Sequence, residues 1–370
     1  MSEPLSTSAL ASARLAAAQF GRGPIGSVVS YGSGHIHDTY LVEGTDGERW
    51  ILQRFNERVF PEIDAVMGNI VRVTDHARAT LRRRGASTRV LTVRRSRAGA
   101  AYVRDAQGSA YRAFEFIAGA TSAGHQLSAR VAFEAGRAFG EFADLLRDLP
   151  DPPLVTTIPG FHDTPGRLSA LRAALQRDPV GRARAVQAEW TEIEQRTEVI
   201  AACHGLAERG ALPLRIAHND AKLDNVLLEA ETLRALCVVD LDTVMPGYLA
   251  HDFGDLVRTT ACLAEEDTTD LARVVLRQEY FEALARGYLQ VAGDWLQPEE
   301  RESLPFGALW ISVELAIRFL TDYLLGDSYF KVDRPEHNLE RARVQLQLLR
   351  VYDRERAAWL GAWQRLVATR

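Results

Sequence analysis

The stretch Ile216-Ala217-His218-Asn219-Asp220-Ala221-Lys222-Leu223-Asp224-Asn225-Val226-Leu227, with Asp240 fifteen residues after Asn225 at the end of Val238-Val239-Asp240, decides how this chain is read. It places an H-x-D-x-K-x-x-N loop between two short apolar runs of strand type, and a third such run ends in a carboxylate. Turn caps alone would not need four polar types in this order. Transfer of a phosphoryl group to a hydroxyl does need them. One carboxylate accepts the hydroxyl proton, while an amide oxygen and a second carboxylate hold magnesium on the phosphates. On that reading Asp220 is the base, Asn225 and Asp240 are the Mg2+ ligands, and Lys222 is a cation reaching the moving γ-phosphate. Oxygen donors without a His/Cys cluster suit magnesium better than zinc.

Outward from this loop, the strand-like patch at 213–245 is set into a sequence that reads as mainly helical from about Ser128 onward. Helical stretches are expected near 132–146, 181–208, 274–292, 301–325 and 336–367. The first of these repeats Phe133, Phe139, Phe142 and Leu146 at helical spacing. The N-terminal third differs. After an alanine-rich segment expected to form a short helix capped near Ser6 to Ser8, it reads as β-branched and aromatic runs broken by glycine turns. A hairpin is expected between 39–42 and 49–55, then a helix over 62–84, then more strands to about 117. The turn Gly32-Ser33-Gly34 lies between strands, where backbone N–H groups can approach phosphates closely.

Composition narrows the partners. The chain has 370 residues, 46% hydrophobic and 25% charged, with a net charge of −5, so no overall basic field is available for nucleic acid or an anionic membrane. No stretch approaches the 18 uninterrupted apolar residues of a membrane span, and the N-terminus lacks the basic start and long apolar core of a secretion signal. Three scattered cysteines, Cys203, Cys237 and Cys262, form no C-x-x-C pair, and a reducing cytoplasm is the expected location. Only Lys222 and Lys331 are lysines, so lysine chemistry must use one of these positions.

The loop resembles the catalytic loop of the aminoglycoside phosphotransferase/choline kinase superfamily, and the longer matches resemble the N-acetylhexosamine 1-kinase branch within it. Those matches are Tyr31-Gly32-Ser33-Gly34-His35-Ile36-His37-Asp38-Thr39-Tyr40, Ile51-Leu52-Gln53-Arg54-Phe55-Asn56, Val239-Asp240-Leu241-Asp242-Thr243-Val244-Met245-Pro246-Gly247, Arg318-Phe319-Leu320-Thr321-Asp322-Tyr323-Leu324 and Asp327-Ser328-Tyr329-Phe330. The likeness covers about residues 25–350. It implies an α+β, protein-kinase-like two-lobed fold: a β-rich nucleotide-binding lobe over 1–117 and a helical lobe over 118–370 carrying the catalytic loop and acceptor site. It also implies ATP and Mg2+ as cofactors. Gly32, Ser33, Gly34, Gln53, Phe114 and Phe116 fall on the nucleotide side, the connector 114–117 offering backbone groups to adenine. Arg318 and Tyr329 are similar to sugar-contacting positions, and His37 and Asp38 are expected at the substrate mouth.

One departure stands out. Kinases place a lysine on the third strand against the phosphates, yet Gln53 falls at that position and Arg54 points to the opposite face. Asp252-Phe253-Gly254 spells a familiar magnesium motif, but it follows Pro246-Gly247 rather than an apolar strand. Asp252 and Asp255 are therefore expected to fix the loop, with Arg258 as a partner. Eight arginines between Arg78 and Arg97 read as a solvated face in an arginine-rich protein, and the acids at 265–270 as a loop. The expectation is a small-molecule kinase acting on a free sugar, with no nucleic-acid or membrane partner, as monomer or homodimer. The alternatives are a kinase for an aminoglycoside, choline-like alcohol or other sugar, and a nucleotide-binding pseudokinase.

Overall fold

The computed structural model describes residues 7–32, 36–86 and 88–369. Its N-terminal region is an antiparallel sheet with strands β1 (Ile25–Ser30), β2 (Asp38–Gly44), β3 (Arg49–Arg54), β4 (Val93–Arg94), β5 (Tyr102–Arg104) and β6 (Ala110–Glu115), in the order β1-β2-β3-β6-β4 with β5 also on β6. Helix α1 (Thr7–Ala18) covers one face and α2 (Ile63–Arg84) the other. Strand periodicity divides the residues between them. Trp50 and Leu52 of β3 and Tyr111 and Ala113 of β6 join Ala13, Ala16 and Ala17 of α1 in one apolar cluster. Ile51, Gln53, Arg112 and Phe114 consequently face the other way, and Arg54 lies on the α1 side as expected.

The helical region holds α3 (Ala129–Leu146), α4 (Thr164–Arg177), α5 (Gln187–Glu194), α6 (Thr197–Glu208), α7 (Leu249–Ala261), α8 (Gln278–Ala292), α9 (Pro298–Ser303), α10 (Gly307–Leu324) and α11 (His337–Ala368). Two small antiparallel sheets are set among them: β7 (Ala120–Ser122), β9 (Val226–Glu229) and β10 (Ala235–Val238), and the pair β8 (Arg215–Ala217) and β11 (Met245–Gly247). Helices α7 and α10 cross so closely that a Cβ on Gly254 would lie 2.0 Å from the Gly307 carbonyl carbon. The segment Pro298–Leu324 is apolar enough to span a membrane by composition, but 72% of its most apolar window is buried inside the helical core.

A second cluster joins the two regions. Ile63, Val66, Ile70 and Val73 of α2 pack with Phe114 of the sheet and also with Phe142, Leu145 and Leu146 of α3 and Leu241 and Val244 beside β11. At about 25 cal/mol per Å² of apolar area, this burial makes α2 common to both cores rather than a mobile arm.

The sequence expectations differ from the fold in four places, one of them α7, which lies outside every expected helical stretch. The helix expected over 181–208 is interrupted at 195–196 and becomes α5 and α6, and Pro305 separates α9 from α10. Helix α4 was not anticipated, because its apolar face is only Leu168, Leu171 and Ala174. Asp163, whose carboxylate accepts from the Gly166 N–H, and Pro165 in the first turn are the start signals that mark it. Of the expected cap near Ser6 to Ser8, Ser6 lies outside the described residues and Ser8 is already within α1.

Candidate active site

Pairing of Ala217 with Met245 between β8 and β11 brings the two ends of the motif region together. The loop between β8 and β9 then turns at Asn219, which has a left-handed φ of 63°. A non-glycine residue is held there only when its surroundings over-determine it. Its backbone N–H and that of His218 donate to the two Asp252 oxygens, each at 2.7 Å, and its side-chain amide donates to the Thr243 and Met245 carbonyls. Gly247 leaves room for that side chain: a Cβ there would sit 2.4 Å from Asn219 Oδ1. His218 is fully buried, donates through Nε2 to the Val239 carbonyl at 3.0 Å, and packs edge-on against Phe139 and Phe142. Asp252 is therefore the residue that fixes the loop, as its sequence context indicates, and Asp255 pairs with Arg258 at 2.8 Å.

Asp220 follows directly. Its carboxylate lies 3.0 Å from Lys222 Nζ. Burial is the largest influence and raises its pKa, but the Lys222 ammonium together with His218 and Arg258 brings the carboxyl below its ordinary range. Asn225 donates its amide to the Asp220 carbonyl at 2.8 Å, which leaves its Oδ1 uncommitted among the described residues. The Val239 N–H donates to the Asn225 carbonyl at 2.9 Å and ties the loop to the strand end carrying Asp240. Asp240 is also left-handed, at φ 64°. Burial, then the Asp242 and Asp220 carboxylates, push its pKa up to about 7. An amide oxygen beside a carboxylate whose neighbours are also acids is a donor set that fits Mg2+.

On the nucleotide side, the third-strand position is polar but uncharged. Gln53 donates to Thr39 Oγ1 at 3.1 Å and accepts from Arg112 Nε at 3.0 Å. The cation of this face is Arg112, on the neighbouring strand in register with Gln53. Its guanidinium is only 2% exposed and grips both oxygens of Asp242, which is itself 4% exposed. His37 completes this network. Its Nε2 lies 3.0 Å from Asp242 Oδ2, and its Nδ1 accepts from the Asn56 N–H at 3.0 Å. This corrects the expectation of His37 at the substrate mouth: both ring nitrogens are used inside the protein, and Phe55 and Phe60 pack on the ring. Phe114 is likewise internal, buried within β6 between Ile51 and Val93, so the open part of the connector begins at Phe116. Phe116 meets Tyr31 edge-on at 6.2 Å and lies under Arg49. Gly32, φ 75°, is exposed beside them, while Ser33 and Gly34 lie outside the described residues. Asp38 pairs with Arg54 at 3.3 Å on a half-exposed strand edge. A cavity of about 340 Å³ beside Phe116 and Ile117, lined by Arg78, Arg82 and Arg89, holds none of the loop carboxylates.

On the other side of the loop, the Arg318 guanidinium sits among Phe161, Tyr329 and Phe330, 5.3 to 5.9 Å from their ring centres. Buried Asp322 builds this arrangement. Its carboxylate accepts from the N–H groups of Ser328, Tyr329 and Phe330 and from the Asn338 amide. Tyr329 remains 58% exposed. The i,i+4 pair of Arg318 with Glu314 is long, at 4.0 Å, because Glu314 is committed to His162 at 2.9 Å and Thr164 at 2.8 Å. Burial and the Arg318 charge lower the pKa of nearby Arg167.

Sequence reasoning missed Arg112, Asp242, His162 and Glu314. Two signals were present: a charge inside the apolar strand 110–114, and the D-x-D spacing of Asp240 and Asp242. The arginine run is largely exposed, as expected, with Arg94 the buried exception and some of the others tied down at the surface. Arg94 is buried against Glu48 and Glu115, Arg84 holds Asp144, and Arg97 donates to the Gly21 carbonyl. The acids at 265–270 are also engaged: Glu266 with Arg258, and Asp267 with Arg334 and His337.

The model of the APH phosphotransferase enzyme family matches residues 27–300. A microcompartment-associated aminopropanol kinase is similar over 94% of this chain and 97% of its own, with a TM-score of 0.64 and 18% identity. An aminoglycoside phosphotransferase from Alicyclobacillus acidocaldarius is similar over 100% and 96%, at 0.58 and 14%. Choline kinase from Cryptosporidium parvum is similar over 96% and 98%, at 0.55 and 13%. These likenesses concern the fold, which is that of the protein-kinase-like phosphotransferases. The chain belongs to the phosphotransferase enzyme family.

Proposed function

We propose that the chain is an ATP-dependent, Mg2+-requiring kinase that phosphorylates a hydroxyl of a small uncharged sugar, most specifically the anomeric hydroxyl of an N-acetylhexosamine or related free sugar. The observation that carries this reading is the acceptor side of the loop. Arg318 is set among Phe161, Tyr329 and Phe330, and the neighbouring carboxylate, Glu314, is 1% exposed and already bonded to His162 and Thr164. A polycationic or quaternary-ammonium acceptor needs open carboxylates or a cation-free aromatic cage. A sugar needs directional donors and an aromatic face.

In this mechanism Asp220 orients the acceptor hydroxyl and takes its proton as the oxygen bonds to the γ-phosphorus and the bond from that phosphorus to the β,γ-bridging oxygen breaks, releasing ADP. Lys222 keeps Asp220 ionised at neutral pH. Asn225 and Asp240 would hold the Mg2+, which when bound neutralises phosphate charge. Tyr31, Gly32 and Phe116 bound the adenine side, and the backbone of 116–117 beyond the last sheet pair is left for the base. A panel of free sugars, aminoglycosides and amino alcohols, read by ADP release, tests the assignment. The N-acetylhexosamine is expected to turn over and its methyl glycoside, with the anomeric oxygen blocked, to be inert. Turnover of the methyl glycoside would move the reaction to another hydroxyl, and turnover confined to amines would discard the sugar reading.

A pseudokinase reading draws on the uncharged Gln53 and on Arg112 being occupied by Asp242. Phosphoryl transfer to any acceptor on the panel eliminates it.

A further inference from the structure

The mechanism leaves His162 unused, although it touches the turn next to the base. It precedes α4, and its ring lies between α10 and the loop: Nε2 is 3.1 Å from the Asn219 carbonyl and Nδ1 is 2.9 Å from Glu314 Oε1. A carbonyl only accepts, and a carboxylate that already receives the Thr164 hydroxyl at 2.8 Å also only accepts. Both bonds exist together only when both ring nitrogens carry hydrogen, which makes the ring an imidazolium. The charged and titratable groups facing it agree. Burial is the largest influence and opposes the charge, as does Arg318, but the charge and hydrogen bond of Glu314 on α10 together with the Asn219 carbonyl leave the His162 pKa above its ordinary 6.5. Glu314 is depressed to about 2 despite its burial. On α7, Asp252 adds a favourable carboxylate, and His251, ring centres 4.6 Å away, is held down to about 3 by burial and by His162, so it stays neutral. Arg167 on α4 faces Arg318 rather than Glu314 alone.

We propose that His162 is a positioning residue: its imidazolium donates to the Asn219 carbonyl, holds that residue in its left-handed turn, and so aims the adjacent Asp220 at the acceptor hydroxyl. The bond it makes to Glu314 links the turn to the carboxylate that Arg318 approaches at 4.0 Å, so Arg318 and the turn before Asp220 are joined through Glu314 and His162. This inference rests on the phosphotransfer reading above.

Three variants test it on the full chain. His162→Phe removes the donor and is expected to lower kcat about tenfold or more, as loss of aim does, with the ATP KM within about twofold of wild type. His162→Gln retains a donor that does not titrate. It is expected to recover most of kcat and to lack the alkaline decline of the wild-type pH profile. Glu314→Gln keeps the ring but removes its counter-charge, and moves that decline to lower pH. Should His162→Phe fail to fold, the other two decide. In parallel, 15N NMR of the imidazoles is expected to show one ring, absent in His162→Gln, that is doubly protonated at neutral pH and titrates above 6.5. An unchanged kcat in His162→Phe, an alkaline limb unaltered in His162→Gln, or a ring titrating at or below 6.5 overturns the proposal. A wild-type chain idle on every acceptor would instead discard the sugar-kinase reading, and the NMR result would still judge the imidazolium.

Discussion

Two buried carboxylates, Asp242 and Glu314, are satisfied differently. Asp242 on the nucleotide side is enclosed by Arg112 and His37, both from the N-terminal region, with the arginine bidentate and 2% exposed. Glu314 on the acceptor side has one full ionic partner, His162, one hydroxyl, and one guanidinium standing off at 4.0 Å. The first network is closed and welds the sheet to the strand end that carries Asp240. The second leaves a guanidinium among aromatic rings, the group that the proposed acceptor would use. A fully paired buried charge is scaffold, and a partly paired one at the edge of a pocket is a binding group.

Breaking the closed network should be the most damaging change. Arg112→Met leaves Asp242 buried with only a histidine, and is expected to destabilise the fold by about 3–5 kcal/mol. Arg112→Met combined with Asp242→Leu should cost less than the two single changes summed, because no charge is then stranded. Chemical denaturation of the single and double variants measures this, and strict additivity would show that the pair is not a unit.

The acceptor-side histidines set the acid response. His251 has a folded pKa of about 3, against 6.5 for the ordinary group. Between these values the unfolded chain binds the extra proton and the folded chain does not, so the His251 contribution to stability falls as pH drops from 6.5 towards 3, by on the order of several kcal/mol, while Asp240, raised to about 7, contributes in the opposite direction. Glu314, depressed to about 2 from 4.5, has its stabilisation fully present above 4.5 and loses it as the pH falls below that. In His251→Gln the decline in thermal midpoint between pH 6.5 and 4.5 should flatten, and an unchanged slope would assign acid sensitivity elsewhere.

The Arg318 guanidinium should matter to binding rather than folding. Arg318→Ala is expected to raise the acceptor KM about 10- to 100-fold, the range of a lost charged hydrogen bond of about 1.5–3 kcal/mol, with little change in the ATP KM. A rise in the ATP KM instead would place Arg318 on the nucleotide side. The smallest effect is expected at Arg54. It lies on the α1 face, half exposed and paired with Asp38, so Arg54→Ala should change stability by less than about 1 kcal/mol and the ATP KM by less than about twofold. A large loss of ATP affinity would mean that it replaces the absent strand lysine.

The two networks also show how far sequence reaches. The loop 218–225 and Asp240 were readable because their spacing is local and their residue types are chemically constrained. The hairpin 39–55, helix α2 and the face of Arg54 followed from strand and helix periods. The closing partners were not readable. Arg112 and Asp242 are 130 residues apart, His37 and Asp242 are 205 apart, and His162 and Glu314 are 152 apart, so no pattern within a window pairs them. His37 was placed at the mouth for this reason: a polar residue beside a glycine turn reads as exposed until the aspartate that buries it is known. The break between α5 and α6 was missed because helical periodicity continues across it.

The most direct test of the account is mass spectrometry of the products formed from a pooled set of free sugars with ATP and Mg2+, comparing wild type with Asp220→Asn. The account predicts one phosphorylated N-acetylhexosamine or closely related sugar from the wild type, and a yield lower by roughly 10²–10⁴-fold from a variant whose amide cannot take the hydroxyl proton. Equal product from both proteins would contradict the role of Asp220 and, with it, the reading of the loop from which the account is built.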